Sequence, residues 1–165
     1  MLQTPGTAEF ESLLKESCGD ALISVESHYD ITVATVSPGV LFDVLRMLKE
    51  AGYTFLTSCH GMHYPDKEQP FAMVYHLHDL PRNLRVRIKA FTEKDPPVFP
   101  SLIPLFAGAN WMERETFDFF GFQFTGHPNL TRILNMDDME GWPLRKEYPL
   151  EDQARYDKDD KMFGR

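Results

Sequence analysis

In LRVRIKAF, residues 84–91, Leu84, Val86, Ile88 and Ala90 alternate with Arg85, Arg87 and Lys89. In an extended chain successive side chains point to opposite faces, so this stretch is a strand with one apolar face and one carrying three cations. A chain containing such a strand needs a sheet whose two faces have different neighbours. The preceding FAMVYHLH is also β in character, and the turn-like DLPRN between the two predicts a hairpin. ALISVESHYD, ITVATV and YTFLTSC supply further strands, the first two adjacent and expected to pair.

Helices are fewer. Thr7 is placed to cap a first helix carrying Phe10, Leu13 and Leu14, with Gly19 to end it. In SPGVLFDVLRMLKEAG, Ser37 stands at a cap, Pro38 at a first helical position and Gly52 beyond the end, and Leu41, Val44, Leu45 and Leu48 form one stripe. Ser101 is placed to open a short helix through Phe106, interrupted at Gly108, and a further helix is expected from about Asn110 to Phe120, stopped by Gly121. Strands without regular βα alternation predict an α+β fold: a single domain with a mainly antiparallel sheet flanked by helices. After Gly121 the periodicity disappears while Pro128, Pro143 and Pro149 punctuate the chain. The expected division is therefore an α+β domain over 1–121 and a long extended C-terminal docking arm over 122–165.

The 165 residues, 42% hydrophobic, are enough for one core and too few for two ordinary domains. With 25 acidic against 17 basic residues, general attraction to nucleic acid or anionic lipid is excluded as the main activity. The stripe of Arg82, Arg85, Arg87 and Lys89 lacks any RNA-binding signature and is read as an exposed face or a surface for an acidic protein partner. The N-terminus lacks the basic and apolar regions of a signal peptide, and no window is long and apolar enough to span a membrane. Cys18 and Cys59 provide neither a disulfide framework nor cluster spacing.

Two sets of residues could carry chemistry. Glu113 and Glu115 suggest a carboxylate pair, but residues two apart on a helix are separated by about 200° around its axis, so the two point to opposite sides. Arg114 and Asp118, four apart, are placed to pair on one face. Cys59, His60, His63, His76 and His78 are all metal-binding types, yet their spacing matches no standard zinc pattern. No catalytic, cofactor-binding or metal residue is assigned from the sequence.

The blocks ERETFDFFG (113–121), GHPNLTRIL (126–134) and GWPLRKEYP (141–149), in that order, closely resemble the signature blocks of the C subunit of NADH:quinone oxidoreductase, respiratory complex I. The resemblance extends more loosely over the preceding domain. It implies a scaffold subunit of the peripheral arm, itself without cofactor, packed on the D and B subunits and other peripheral-arm subunits at the cytoplasmic face of the cell membrane. FMN and iron-sulfur clusters then lie in partner subunits, and electrons pass from NADH through them to quinone, coupled to proton translocation. Membrane association is expected only through the complex. The residues expected to make subunit contacts or to fix the arm are Glu113, Arg114, Glu115, Asp118, Gly121, His127, Pro128, Arg132, Trp142, Arg145, Lys146 and Tyr148. Alternatives are the equivalent subunit of a related membrane-bound hydrogenase or ferredoxin-driven complex and, in a different class, a stand-alone metal-dependent enzyme built on the histidines.

Overall fold

A computed structural model describes residues 7–148. Helix α1 (Thr7–Cys18) ends where Gly19 takes a φ of +49°, and a short 3-10 turn leads into strand β1 (Leu22–His28). Strand β2 (Ile31–Val36) pairs antiparallel with β1, as their adjacency predicts. Helix α2 (Leu41–Glu50) follows, then β3 (Phe55–His63), β4 (Phe71–Asp79) and β5 (Leu84–Thr92). The chain continues through β6 (Val98–Pro100), α3 (Ala109–Phe120) and β7 (Gln123–Thr125).

The first five strands form one mixed sheet in the order β1-β2-β5-β4-β3. Its pairings are antiparallel except β2 with β5, which run parallel with Thr32 opposite Val86 and Ala34 opposite Ile88. Sheet and helices together are the expected α+β domain. Leu41, Val44, Leu45 and Leu48 of α2 join Phe10 and Leu14 of α1 in a core with Met73, Tyr75, Leu77, Val86, Ile88 and Ala90. The apolar face of β5 thus lies under α1 and α2, and its cationic face turns the other way. β2 is covered on both sides: Ile31, Thr32, Val33 and Ala34 are all buried, so its alternation does not separate wet from dry.

Two helix starts differ from the sequence expectation. Ser37 is extended and makes no side-chain cap, and Pro38 opens a 3-10 turn, Pro38–Val40, with α2 beginning only at Leu41. The apolar stripe survives because it starts at Leu41. Ser101 starts no α-helix: Leu102–Phe106 makes a turn closed by Leu105 and Phe106 N–H groups donating to Leu102 O. Pro104 contributes no N–H there, and the Ser101 hydroxyl is engaged with Glu113. The Thr7 side chain, Pro149 and the charged tail to Arg165 lie outside the described residues.

Strands β6 and β7 pair in parallel, Phe99 opposite Phe124, closing a small second sheet around α3. Phe122 and Phe124 are buried in the main core, so the first four residues of the stretch expected as an arm, 122–125, pack with the domain. From Gly126 to Tyr148 the described chain has neither helix nor strand.

A candidate docking ledge built on α3

Helix α3 is seated by two glycines. A Cβ at Gly61 on β3 would lie 2.7 Å from Thr116 Cγ2, so the absence of a side chain there lets the helix approach the sheet. Gly121 takes φ +76° at the C-terminus, its N–H donating to Phe117 O, and a Cβ on it would stand 2.5 Å from Trp142 Cε2. Reversal at Gly121 sends the chain through β7 and then back along α3.

The acidic side chains of α3 separate as helical geometry requires: Glu113 is fully buried and Glu115 exposed. Glu113 faces inward, accepting the Ser101 hydroxyl at 2.7 Å and the Leu102 N–H at 2.6 Å. Burial raises its pKa above the ordinary carboxylate value, against those two hydrogen bonds. The expected Arg114–Asp118 pair does not form. Arg114 instead stacks over Trp111 and donates to Thr131 O at 3.1 Å and Arg132 O at 2.9 Å, carbonyls of the returning chain.

Asp118, fully buried, organises that chain. Its Oδ2 accepts the N–H groups of Ile133, Leu134 and Asn135 at 3.1, 2.8 and 2.9 Å. Its Oδ1 accepts Arg132 Nη1 at 2.8 Å and Asn135 Nδ2 at 3.1 Å. Burial pushes the Asp118 pKa upward, but the donors of Asn135, Arg132, Leu134 and Ile133 together outweigh it and hold the carboxyl well below the usual range. Arg132 in turn reaches Asp118 O, Met139 O and Gly141 O and lies over the Trp142 ring, 4.8 Å from its centroid. Trp142 meets Phe117 edge-on at 5.4 Å.

Further along, Arg145 is 7% exposed. Its two terminal nitrogens donate to the Asp95 carboxylate at 3.0 and 2.8 Å, its Nε donates to Phe120 O at 2.6 Å, and its guanidinium lies over Phe71. Leu144 N–H donates to Phe119 O, and Lys146 N–H to His63 Nδ1. His127 accepts the Asn129 N–H on Nδ1, which leaves its Nε2 hydrogen to reach Asn110 O at 3.4 Å. The side chains of Glu115, Pro128, Lys146 and Tyr148 are exposed. Asp95, Ser101, His63 and Asn135 also fix this segment, and sequence reasoning missed them. Only the need of Arg145 for a carboxylate hinted at Asp95.

The five-residue Cys/His set is not assembled. Cys59 is buried in the core, with burial pushing its thiol pKa well up, whereas His60 and His76 stack on the opposite face of the sheet. His63 stacks on Phe71, and His78 meets Asn83. Among the described residues no group of three or more His, Cys, Asp or Glu is placed to hold a metal ion.

Exposed around α3 are the large apolar side chains Trp111, Leu134, Met136, Leu144 and Tyr148, together with the charged Glu115, Asp137, Asp138, Glu140, Lys146 and Glu147. Asp118, Arg132 and Arg145 turn inward to hold a segment whose Leu134, Met136, Leu144 and Tyr148 are exposed. Exposed apolar side chains on a segment fixed from within suit docking.

Comparisons with known proteins place the chain in a family. Residues 34–154 match the family described as respiratory-chain NADH dehydrogenase, 30 Kd subunit. The C subunit of NADH-quinone oxidoreductase from Methylobacterium sp. (strain 4-46) is 39% identical over 163 residues, covering 94% of this chain and 75% of that protein. The C subunit of NADH-quinone oxidoreductase from Rhizobium johnstonii is 40% identical over 154 residues, covering 90% of this chain and 76% of that protein. Among solved structures, the trypsin-resistant fragment (1-134) of Nqo5 superposes with a TM-score of 0.66 at 26% identity, over 73% of this chain and 98% of that one. A chain of the membrane-bound sulfane sulfur reductase, an archaeal respiratory membrane complex, superposes with a TM-score of 0.74 over 96% of this chain and 91% of that one; at 21% identity it shows the shared fold. On these grounds the chain belongs to the C-subunit family of NADH-quinone oxidoreductase, the 30 Kd subunit family of the respiratory-chain NADH dehydrogenase.

Proposed function

We propose that this chain is a cofactor-free, non-catalytic scaffold subunit in the peripheral arm of a proton-translocating NADH:quinone oxidoreductase. In this reading it docks on the D and B subunits at the cytoplasmic face of the membrane, and partner subunits carry FMN and the iron-sulfur clusters. The observation that carries the reading is the division of labour around α3. Asp118, Arg132 and Arg145 are occupied within the chain, and Leu134, Met136, Leu144 and Tyr148 of the segment they hold are exposed, as is Trp111 on α3 itself. A segment already held in its bound shape loses less conformational entropy on docking. Aromatic side chains among those outward groups supply contact area with few rotatable bonds. Glu115 and Lys146, also exposed, supply polar groups to that surface, and the exposed Pro128 adds a rigid apolar one.

None of the described helices is long and apolar enough to cross a membrane, so the proposed membrane association runs through the complex. The NADH-linked reading stands ahead of a hydrogenase-type or ferredoxin-driven complex because relatives near 40% identity are named as C subunits of NADH-quinone oxidoreductase.

The test is a Leu134→Asp/Met136→Asp double variant in cells that depend on this chain. Both side chains are exposed, so the isolated protein is expected to keep its Tm within a few degrees. Recovery of the D subunit with a tagged chain, and NADH:quinone reductase activity in membranes, are expected to fall several-fold. Normal recovery and normal activity would remove this surface from the assembly.

A further inference from the structure

The face of the sheet turned away from α1 and α2 holds a recess of about 280 Å³, lined by Thr57, Ser58, His76, Arg85 and Arg87 with Asp30 among its walls. Strand register builds it. His76 stands opposite both Arg87 on β5 and Ser58 on β3, so three neighbouring strands each contribute one polar side chain to the same spot. Arg87 Nε donates to His76 Nε2 at 2.7 Å, which makes that nitrogen an acceptor and leaves the hydrogen on Nδ1, where it meets Ser58 Oγ at 2.8 Å.

Arg87 is therefore held by a neutral imidazole, and its positive charge is not cancelled. Arg85 Nε is buried without a hydrogen-bond partner. The arginine ion pairs among the described residues belong to Arg46, Arg82, Arg132 and Arg145, so neither Arg85 nor Arg87 is in direct ion-pair contact with a carboxylate, although Asp30 shares the recess. Two half-buried guanidiniums without a directly paired carboxylate, and a donor with nothing to donate to, describe an incomplete ion-pair site. The field there is visible in His76, whose pKa is held down to about 4 by burial first and then by Arg87, His60, Arg85 and Lys89.

We propose that this recess binds a carboxylate and that, in the assembled complex, it receives an Asp or Glu side chain from an acidic segment of a neighbouring subunit. The planar fork of arginine matches a carboxylate in two parallel hydrogen bonds, and the Ser58 and Thr57 hydroxyls add neutral polar contacts. Asp30 on the wall favours a singly charged carboxylate over a doubly charged phosphate, because like charges in a recess repel. Tyr29, fully exposed in the β1–β2 turn beside Asp30, supplies aromatic area that such a neighbour would cover. The identity of the neighbour as a subunit rests on the scaffold reading; the recess chemistry does not.

The experiment has one arm for each. The full chain is titrated at low ionic strength with the probe acetyl-(Glu)4-amide while the arginine Nε–H resonances are followed by NMR. Saturable shifts at Arg85 and Arg87 are expected, at least tenfold weaker binding in an Arg85→Gln/Arg87→Gln variant whose circular dichroism is unchanged, and unaltered binding in Arg46→Gln. Absence of saturation, equal binding by the double variant, or tighter binding of inorganic phosphate than of the peptide would overturn the carboxylate site. In membranes, an Arg85→Lys chain is treated with a water-soluble carbodiimide, which joins the introduced amine to an adjacent carboxyl as an amide while the reagent leaves as its urea. A cross-link to an Asp or Glu of another subunit is expected. An active, assembled complex that gives none overturns the docked carboxylate and leaves the scaffold reading standing, whereas a chain absent from the purified active complex overturns the scaffold reading.

Discussion

Arg145 and Asp95 meet through two parallel hydrogen bonds, 3.0 and 2.8 Å long, across fifty residues of sequence. The cation is nearly sealed from water, the carboxylate is half exposed, and the pair ties the segment after α3 to the loop before β6.

Removing either partner therefore has a stability cost in the isolated chain, before any assembly. Arg145→Ala also strips the donor from Phe120 O, and because Asp95 can rehydrate, the expected loss is about 1–2 kcal/mol. Arg145→Lys recovers part of it, since an ammonium cannot reproduce the fork. A double-mutant cycle with Asp95→Ala, read by urea unfolding, should give a coupling of about 0.5–1 kcal/mol. Strictly additive losses would show that the pair is geometrically present and energetically idle.

The two buried acids of α3 respond in opposite directions to loss of charge. Asp118 has a folded pKa below its unfolded value, so its contribution is present above about pH 4 and disappears as pH falls below that. Asp118→Asn is expected to cost about 3 kcal/mol at pH 7, with the gap to wild type narrowing in acid. The same variant should deprotect the amides of Ile133, Leu134 and Asn135 in hydrogen exchange. Glu113 has a raised folded pKa, so the stability linked to its protonation is complete in acid and lost as pH rises through that value. Glu113→Gln keeps an acceptor for Leu102 N–H and a donor for the Ser101 hydroxyl, and is expected to equal or exceed wild-type stability at pH 7. Equal destabilisation by both substitutions would contradict this assignment.

Gly121 and Trp142 are a steric pair. Gly121→Ala places a methyl group against the indole at a φ of +76°, adding a backbone cost of about 1 kcal/mol to the clash. The expected total is about 2–3 kcal/mol, by the order usual for overpacked sites, with a red-shifted tryptophan emission as the ring is displaced, although Trp111 dilutes that signal. In a Trp142→Ala background the same change should cost only the backbone part.

His76 is expected to stay neutral, with its hydrogen on Nδ1, down to a pKa of about 4. The sign follows from a folded value below the ordinary 6.5: its contribution is intact above about pH 6.5 and is lost as pH falls toward 4. Nitrogen chemical shifts of the imidazole, followed from pH 7.5 to 4, check both the tautomer and the midpoint; titration at the ordinary histidine value would remove the Arg87 contact.

Much of the scaffold was legible because its signals are local. The stripe of α2, the glycine that stops α3 and the one-sided strand β5 each follow from spacing alone. Elements depending on distant partners were not. Strands β6 and β7 are three residues each, too short for alternation to show, and their pairing accompanies the distant stacking of Phe99 on Phe122. The Arg114–Asp118 pair failed for a similar reason: chain reversal delivers carbonyls to Arg114 and a second arginine to Asp118, and those partners outcompete a neighbour one helical turn away. Ser101 has the chemistry of a helix cap, but the fold directs its hydroxyl to a buried glutamate.

The single parallel pairing of the sheet also shapes the protein's birth. β2 pairs on one side with β1, which the ribosome makes just before it, and on the other with β5, whose Val86 is added 54 positions after its partner Thr32. At about 5–20 residues per second, that edge of β2 waits roughly three to eleven seconds for its neighbour. During that interval Val33 and Ala34, later buried, belong to an unfinished sheet. In that interval the open edge of β2 is available to wrong strand partners, and slowing translation after β2 is expected to lengthen it.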